Sequence, residues 1–323
     1  AALDLIEVEY EELEPLLDPL QSMSDEAPVL HPDLRSYKGF PADIPEHLKN
    51  VHNYHLYEKG NLEAGFAAAD KIVEGTYSCA MIHQAYIEPT NSTVSIDQDG
   101  RVHVWQSQKS PWGLRDRLAE ALGLPKEQVV YEYTRIGGDF GGKGAVMDAP
   151  LCYYLAKASG RPVKMVMTYT EELTAANPRH ACYVQARTGV KRDGTITAHD
   201  IKITFDAGAY GAYKPVPGLD LGGVRKGGGA YRIPNARSES FIVYTNHIPC
   251  GFMRAPGDPQ VTFAVESHMD EVARQLGVDP LDFRRKNLLV EGDDTAIGEK
   301  WQDLRGLEAV SYTHLRAHET GRN

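Results

Sequence analysis

Four glycines around one phenylalanine form the segment of this chain that is best suited to chemistry. The segment Gly137-Gly138-Asp139-Phe140-Gly141-Gly142-Lys143 follows directly after a predicted strand at residues 129–133. Because glycine has no Cβ, such a loop can bring its backbone N–H groups close to a ligand. Clustered N–H groups form a concavity that binds anions. The segment therefore predicts a ligand-binding loop, with a tight structural turn as the alternative.

The same segment comes close to the pattern of a phosphate-binding P-loop. Gly137 to Lys143 satisfies G-x-x-x-x-G-K, but Gly144 stands where a P-loop needs the hydroxyl that holds Mg²⁺. The residues that lead into the loop, 131–135, are also too polar for a buried central parallel strand. The sequence therefore argues against phosphate hydrolysis.

The composition of the chain limits the classes of function to consider. Its 323 residues are 42% hydrophobic and 24% charged, which is ordinary for a globular protein of one or two domains. A net charge of −11 argues against a nucleic-acid partner. No apolar run approaches the length of a membrane span, and no signal-peptide pattern opens the chain. We therefore expect a cytoplasmic protein, with export alongside a partner subunit left open.

The four cysteines are too widely spaced to form a metal or redox pair. Cys79, Cys152, Cys182 and Cys250 include no C-x-x-C spacing, and Cys152 and Cys182 lie among apolar residues. We expect these thiols to be buried and reduced. An iron–sulfur centre, if the system has one, must then lie on another polypeptide.

Strand and helix patterns alternate along the chain without a regular βαβ repeat, which predicts an α+β fold. The clearest amphipathic helix covers residues 112–122 and can end at Gly123. Asp99-Gly100 predicts a hairpin between the segments that flank it. Strands are predicted at 3–14, 71–78, 92–96, 102–105, 129–133, 163–167, 183–190 and 196–205, and helices at 65–70, 112–122, 149–158, 261–276 and from Pro280 onward.

Neither end of the sequence has the character of a natural terminus. The chain opens on Ala1 without an initiator Met, and residues 311–323 resemble the translated read-through of a sequencing adapter, with Val310 as a further candidate. His314 and His318 have the i, i+4 spacing of a helical metal site, but a scar of this kind is left out of functional reasoning. We expect a fragment that is truncated at both ends.

The glycine loop and its setting resemble the molybdopterin-binding large subunits of the xanthine dehydrogenase/aldehyde oxidase family. A helix that ends in Leu122-Gly123-Leu124-Pro125 precedes the strand and the loop, as it does in that family. Phe252-Met253-Arg254-Ala255-Pro256-Gly257 resembles the family's second active-site loop. Further family-like segments lie at 7–13, 87–90, 228–235, 244–246, 266–271 and 283–288, so the resemblance covers nearly all of residues 1–309.

The resemblance implies a domain organisation for this α+β chain. Residues 1–18 would form the C-terminal end of an α/β hammerhead domain, and residues 19–60, which are rich in proline at first, would form a long linker. Residues 61–309 would form the first molybdopterin-binding domain, which is the first half of the cofactor-binding part of the subunit. Residues 310–323 would be the adapter artefact.

The resemblance also implies roles for individual residues. Gln108, Phe140 and Arg254 would act in catalysis, with Gln108 bonded to a molybdenum ligand, although Gln106 also fits that position. No side chain is assigned as a ligand of the metal itself. Asp139 departs from the commoner glycine of the family, which adds a Cβ near the apex of the loop. The residues expected to contact the cofactor are Gly137, Gly138, Asp139, Phe140, Gly141, Arg254 and Ala255.

Departures from the family pattern narrow the expected substrate. Ala255 replaces the cysteine that carbon monoxide dehydrogenases carry after the second-loop arginine. Gly144 replaces the substrate-orienting glutamate of xanthine-type members, and Pro256 replaces their second-loop aromatic residue. Where those members carry an arginine, this chain has Gly222-Gly223, and Arg225 is the nearest candidate. We therefore expect an aldehyde or an N-heteroaromatic substrate rather than carbon monoxide or a purine.

The activity implied is that of a molybdenum hydroxylase, which inserts a water-derived oxygen into a substrate C–H bond. The expected cofactor is molybdenum-molybdopterin in its cytosine dinucleotide form, with [2Fe–2S] and FAD carried by a small and a medium partner subunit. The family's catalytic glutamate has no match before residue 310, so the fragment alone is expected to be inactive and unable to retain the cofactor. An aromatic acyl-CoA dehydroxylating reductase and a non-catalytic, cofactor-free relative remain as alternatives.

Overall fold

The computed structural model describes residues 3–211 and 221–300, and the predicted adapter segment at 310–323 lies outside them. In the described ranges the chain forms two sheets, with strand orders β1-β9-β8-β7-β2 and β5-β4-β3-β6. The strands are β1 (Val51–Lys59), β2 (Lys71–Cys79), β3 (Asn91–Ile96), β4 (Val102–Gln106), β5 (Val129–Glu132), β6 (Val163–Val166), β7 (Cys182–Val190), β8 (Ile196–Gly208) and β9 (Ala236–Tyr244).

Helices pack against both sheets. They are α1 (Pro19–Ser22), α2 (Leu62–Ala67), α3 (Pro111–Leu122), α4 (Ala149–Ser159), α5 (Tyr169–Ala175), α6 (Asp258–Leu276) and α7 (Pro280–Asn287). None of these helices has the length and apolar character needed to cross a bilayer. The mixture of largely antiparallel sheets and separate helices agrees with the α+β class expected from the sequence.

The five-stranded sheet packs against α6 to form the larger core. Along α6, Val261, Val265, Met269 and Val272 recur at helical spacing, and all four are fully buried. They meet buried side chains of β7 and β8, such as Phe205. The Gly277 cap ends α6 in the left-handed conformation, as the sequence predicts. This layer carries the second loop, because residues 252–257 lead directly into α6.

The four-stranded sheet and α3 and α4 form the smaller core. The predicted hairpin is confirmed, since β3 and β4 pair antiparallel from Ser92–Gln106 to Ile96–Val102. Val104, Leu118 and Cys152 are fully buried in this core. Burial raises the pKa of the Cys152 thiol to about 11, as expected for an inert, reduced cysteine. This layer carries the glycine loop, which lies between β5 and α4.

One predicted strand is wrong. The strand expected at residues 3–14 is absent: Leu3–Leu5 forms a 3₁₀ turn and residues 6–14 have no regular structure. Val8 and Tyr10 are 59% and 81% exposed. A strand is stabilised by a ladder partner, and none of the described strands pairs with this segment. The strand prediction is therefore corrected, whereas the assignment of residues 1–18 to the end of a hammerhead domain stays a prediction.

The predicted linker contains a strand that the sequence pattern did not indicate. Residues 19–60 include β1, which pairs antiparallel with β9 from Val51–Val243 to Lys59–Ala236. Polar residues interrupt any apolar alternation in β1, so periodicity gave no signal. Its partner β9 was not predicted either. Backbone pairing holds the strand at the edge of the large sheet, and Val51 at its start is buried in a small cluster with Ile44, Phe241 and Val243.

A chain of buried polar side chains crosses the larger core. Thr188 Oγ1 lies 2.8 Å from His199 Nδ1 and 2.9 Å from His268 Nε2. Tyr77 Oη lies 3.0 Å from His268 Nδ1, and the Gly227 carbonyl oxygen lies 3.0 Å from His199 Nε2. Burial lowers the pKa of His199 to about 4 and that of His268 to about 3, so both imidazoles are neutral at physiological pH.

The two buried histidines should make the fold sensitive to acid. The unfolded chain binds protons on both below about pH 6.5, whereas the folded chain does so only near their lowered pKa values. Stability should therefore fall as pH drops from 6.5 towards 4, by about 1.4 kcal/mol per pH unit for each proton. When unfolding by denaturant is measured across this pH range, the free energy of unfolding of His199→Gln should depend less steeply on pH. The difference in slope should correspond to about one bound proton. The exposed control His47→Gln should keep its slope, and equal slopes in both variants would contradict the assignment.

Candidate active site

The first loop, residues 137–143, follows a backbone path that requires glycine at two close approaches. Gly138 and Gly141 both have φ +114°, a region that side chains disfavour. A Cβ on Gly138 would lie 2.9 Å from the Tyr86 Cβ, and one on Gly141 would lie 2.7 Å from the Phe252 carbonyl oxygen. The loop is therefore sandwiched between Tyr86 below it and the second loop, residues 252–257, beside it.

A backbone hydrogen bond joins the two loops. The Arg254 N–H donates to the Phe140 carbonyl oxygen at 2.8 Å. Phe140 and Ala255 both have positive φ, +47° and +54°, which non-glycine residues rarely adopt. Backbone strain of this kind persists only where surrounding contacts over-determine it, and it is common at functional sites. The structure thus brings together Phe140, Arg254 and Ala255, which the sequence predicted from opposite parts of the chain.

A buried ion pair anchors the base of the first loop. The Lys143 side chain is 1% exposed, and its Nζ lies 2.7 Å from Glu88 Oε2 and 3.2 Å from Ser107 Oγ. Glu88 also accepts the Gly137 N–H at 2.7 Å. Partial burial would raise the pKa of Glu88, but the hydrogen bonds from Lys143, Ser107 and Gly137 outweigh it and lower that pKa. Lys143 is thus committed to the interior and is not available to bind a phosphate.

Tyr86 forms a rigid platform under the loop. Its hydroxyl donates to the fully buried Glu172, which also accepts the Thr90 N–H at 2.6 Å and the Thr90 hydroxyl at 3.1 Å. Burial, followed by the bond to Glu172, raises the pKa of Tyr86 well above its usual value. The phenol therefore stays neutral, and its ring packs against the glycine backbone.

Two buried side chains that the sequence alone did not single out support the second loop. Arg179 donates to the Arg254 carbonyl oxygen at 2.6 Å and to Gln260 Oε1 at 2.8 Å. Gln84 donates to the Phe252 carbonyl oxygen at 2.7 Å. They lie 75 and 168 residues from the groups that they hold, so no local spacing connects them. The fold alone places them under the loop.

Gln106 and Gln108, the two alternatives for one predicted role, occupy different environments. Gln106 is 1% exposed, donates to the Val146 carbonyl oxygen at 3.2 Å and accepts the Tyr131 hydroxyl at 3.1 Å. Gln108 lies beyond the end of β4, where its Oε1 accepts the Ser110 N–H at 2.5 Å. It lines an open groove of about 720 Å³, whereas Gln106 is built into the small core.

Phe140 and Arg254 line a second groove, of about 280 Å³, between the two loops. The Phe140 ring is 55% exposed. The Arg254 guanidinium is exposed and has no ion-pair partner among the residues described. Lys109 lines both this groove and the groove of Gln108, and its N–H donates to the Lys143 carbonyl oxygen at 3.3 Å. The two grooves therefore adjoin at Lys109.

Four amides of the first loop, those of Gly137, Gly141, Gly142 and Lys143, have acceptors within the chain, so the anion-binding concavity that the sequence suggests is partly closed. Asp139 accepts the Gly141 N–H at 3.0 Å and the Lys143 N–H at 2.5 Å. Glu88 accepts the Gly137 N–H at 2.7 Å. Of the residues predicted to contact a cofactor, Asp139 thus turns its carboxylate into the loop rather than out of it.

The groups that line the two grooves fit a cofactor that itself carries the ligands of its metal. Between residues 3 and 211 and between 221 and 300, no three His, Cys, Asp or Glu side chains are placed to hold a metal ion. The groove instead offers a guanidinium, an aromatic ring and close backbone, and the adjoining groove offers the Gln108 amide. These groups suit an anionic, planar organic cofactor held by hydrogen bonds and ring contact.

Arg225, the nearest candidate for the substrate-binding arginine of xanthine-type members, does not line the groove between the two loops. It lines a separate cavity of about 540 Å³ between residues 222–230, α6 and residues 295–299. Its guanidinium lies 3.2 Å from Glu299 Oε1. Arg225 therefore does not face the groove of Phe140 and Arg254, and it does not replace the arginine of xanthine-type members.

Comparison with known proteins matches most of the chain to one family. A family model for the molybdopterin cofactor-binding domain matches residues 45–288. Over 288 residues the chain is 35% identical to a probable xanthine dehydrogenase component of Bacillus subtilis (strain 168), covering 89% of this chain and 36% of that protein. It is 31% identical over 306 residues to a nicotinate dehydrogenase large molybdopterin subunit of Eubacterium barkeri, covering 95% and 68%.

A solved structure shows the same fold. The aldehyde oxidoreductase of Desulfovibrio gigas superposes with a TM-score of 0.83 at 27% identity, covering 97% of this chain and 33% of that chain. The matched fold and the pair of loops define a molybdopterin cofactor-binding domain. The chain belongs to the xanthine dehydrogenase/aldehyde oxidoreductase family. It spans about a third of the length of the Bacillus and Desulfovibrio relatives.

Removal of the buried ammonium should destabilise the chain. Lys143→Met leaves the half-buried Glu88 carboxylate without its cation, so we expect a loss of about 2–3 kcal/mol in the free energy of unfolding, less than for a fully buried pair. The double variant with Glu88→Gln should recover part of this loss because no unpaired charge remains. Lys126→Met, at an exposed site, is the control. A Lys143→Met variant as stable as this control in urea denaturation would rule out the anchoring role.

Proposed function

We propose that this chain is part of the large subunit of a molybdenum hydroxylase that oxidises an aldehyde or an N-heteroaromatic compound. The observation that carries the proposal is the hydrogen bond between Arg254 N–H and the Phe140 carbonyl oxygen. It joins the two family-type loops around one groove, with an exposed ring and an exposed guanidinium facing the same space. A structural turn alone would not require either feature.

The residues of this groove would hold the cofactor and orient the substrate. The close backbone of Gly137, Gly138 and Gly141 would admit a planar group, and the Phe140 ring would lie against it. Arg254 would stabilise negative charge at the metal centre, next to the Ala255 backbone. When bound, the molybdenum cofactor would supply the two-electron oxidation of the substrate carbon with water as the source of oxygen.

Gln108 would hydrogen-bond a ligand of the metal, and Gln106 would not. The Gln106 amide has both of its functional ends engaged in the small core. Gln108 leaves its Nε2 group without a partner among the hydrogen bonds of the described residues, at the edge of an open groove. This contrast favours Gln108 as the residue whose amide can turn to a ligand.

The substrate proposal rests on what the groove lacks. Gly144 supplies no carboxylate, and Arg225 faces another cavity, so the pair that would hold a purine is missing from the described site. Phe140, Phe252, Met253 and Pro256 give the groove an apolar wall. Such a wall suits an aromatic aldehyde or an N-heteroaromatic ring.

We further propose that electrons leave through a [2Fe–2S] small subunit and a FAD-binding medium subunit, and that the cofactor is the cytosine dinucleotide form. The support is indirect: the four cysteines are reduced thiols, three of them buried, and the described residues do not gather them into a set of iron–sulfur ligands. Several relatives carry names that designate them as one subunit of a larger enzyme.

Elemental analysis of the full-length gene product, purified with its partner subunits, tests the proposed class. We expect about one molybdenum per large subunit and oxidation of benzaldehyde or quinoline with an artificial electron acceptor. Activity seen only with a low-potential donor and an aromatic acyl-CoA would support the reductase alternative. A preparation that contains the partners but no molybdenum would eliminate the proposal.

The neighbouring glutamines offer a matched pair of variants in that enzyme. Gln108→Ala should lower kcat about 10- to 100-fold, the range for loss of a residue that hydrogen-bonds a metal ligand, with little change in Tm. Gln106→Ala should lower Tm because it leaves the Tyr131 hydroxyl and the Val146 carbonyl without their partner. If Gln106→Ala lost kcat at unchanged Tm and Gln108→Ala did not, the two assignments would have to be exchanged.

A further inference from the structure

Asp139 lies at the centre of the first loop and accepts the amides that follow Phe140. Its Oδ2 accepts the Gly141 N–H at 3.0 Å, and its Oδ1 accepts the Lys143 N–H at 2.5 Å. Its carbonyl oxygen accepts the Gly142 N–H at 2.9 Å. Asp139 thus receives three consecutive amides, and the intervening Phe140 is held at φ +47°.

The same carboxylate reaches across to the segment that carries Gln108. Lys109 Nζ lies 3.4 Å from Asp139 Oδ2, and the carboxylate is only 17% exposed. Lys109 follows Gln108 directly and is tied to the loop again through its N–H and the Lys143 carbonyl oxygen. Asp139 therefore couples the strained Phe140 to the Gln108 segment.

The carboxylate also fills the space that the loop would otherwise offer to an anion. Consecutive N–H groups at a glycine-rich turn attract negative charge, and a nearby ammonium strengthens that attraction. Here the negative charge is covalently part of the loop, so the amides and Lys109 already have an anionic partner. A glycine at this position would leave the concavity open.

We propose that Asp139 is a built-in anion that occupies the amide concavity after Phe140, positions Phe140 and the Gln108 segment, and selects against anionic substrates in the groove. The positioning role concerns the chain alone. The selectivity role deepens the proposed function and rests on it, because it concerns the substrate of that enzyme. Asp139 acts through the loop and not on the reacting atoms.

The chain of 323 residues tests the first part without cofactor or activity. In Asp139→Gly, the Gly141 and Lys143 amides should exchange with deuterium at least about tenfold faster than in the unaltered chain. NMR titration with inorganic phosphate should shift these amides in Asp139→Gly and leave them unmoved in the unaltered chain. Asp139→Asn, which can accept through one oxygen only, should fall between the two.

Asp97 provides a matched control. It accepts the Asp99 and Arg101 N–H groups at 2.9 and 2.8 Å in an exposed turn, far along the chain from the first loop. Asp97→Gly should speed exchange in its own turn without creating a phosphate site. Equal phosphate binding by both glycine variants, or unchanged exchange of Gly141 and Lys143 in Asp139→Gly, would overturn the proposal.

The holoenzyme tests selectivity with two substrates that differ by one charge, benzaldehyde and 4-carboxybenzaldehyde. Asp139→Asn should lower KM for the carboxylated substrate at least about threefold relative to the neutral one. An equal change in both KM values would refute the selectivity role. If the molybdenum-loaded enzyme oxidised neither aldehyde, the substrate class proposed above would fail, while the exchange and phosphate results would still decide the role of Asp139 in the loop.

Discussion

The buried ammonium of Lys143 is the constraint on which the geometry of the site depends. Removal of a charge from water costs several kcal/mol unless a partner and hydrogen bonds compensate it. Glu88 provides that partner and binds the Gly137 amide with the same oxygen. The glycine loop is therefore fixed at its first residue and at its last by one carboxylate. Tyr86 then fills the space beneath it, where only glycine allows such close contact.

The site forms where the two layers of the fold meet. The first loop belongs to the small sheet and its helices, whereas the second loop leads into α6 of the large layer. Arg179 and Gln84 hold the second loop by its carbonyl oxygens, which leaves the Arg254 side chain unused for support. The supporting contacts are made to the backbone of the second loop, so the Arg254 side chain is left to face the groove. The backbone of Arg254 is therefore held in place although, within the described part of the chain, its side chain forms no ion pair.

The sequence predicts those parts of the fold that depend on local pattern. The amphipathic α3, the β3–β4 hairpin and the caps at Gly123 and Gly277 follow from spacing and turn chemistry, and all are confirmed. The β1–β9 pair could not be predicted because polar residues interrupt the apolar alternation of β1. The two strands are held together by pairing between segments that lie far apart in the sequence. Glu172 and Arg179 could not be identified from the sequence for the same reason. No local pattern distinguishes a charged residue that folding buries under a distant loop from one that stays on the surface.

Two positions, Asp139 in the first loop and Gly144 directly after it, depart from the family pattern that the sequence resembles. Gly144 offers no carboxylate to a substrate, whereas the Asp139 carboxylate points into the loop. Because electrostatic recognition depends on position, a carboxylate held in the loop is not equivalent to one that faces the groove. Lys109 is drawn to the loop apex, while the Arg254 guanidinium remains exposed to the groove. An apolar wall with a cation at its edge would suit the aldehyde or N-heteroaromatic substrate proposed above.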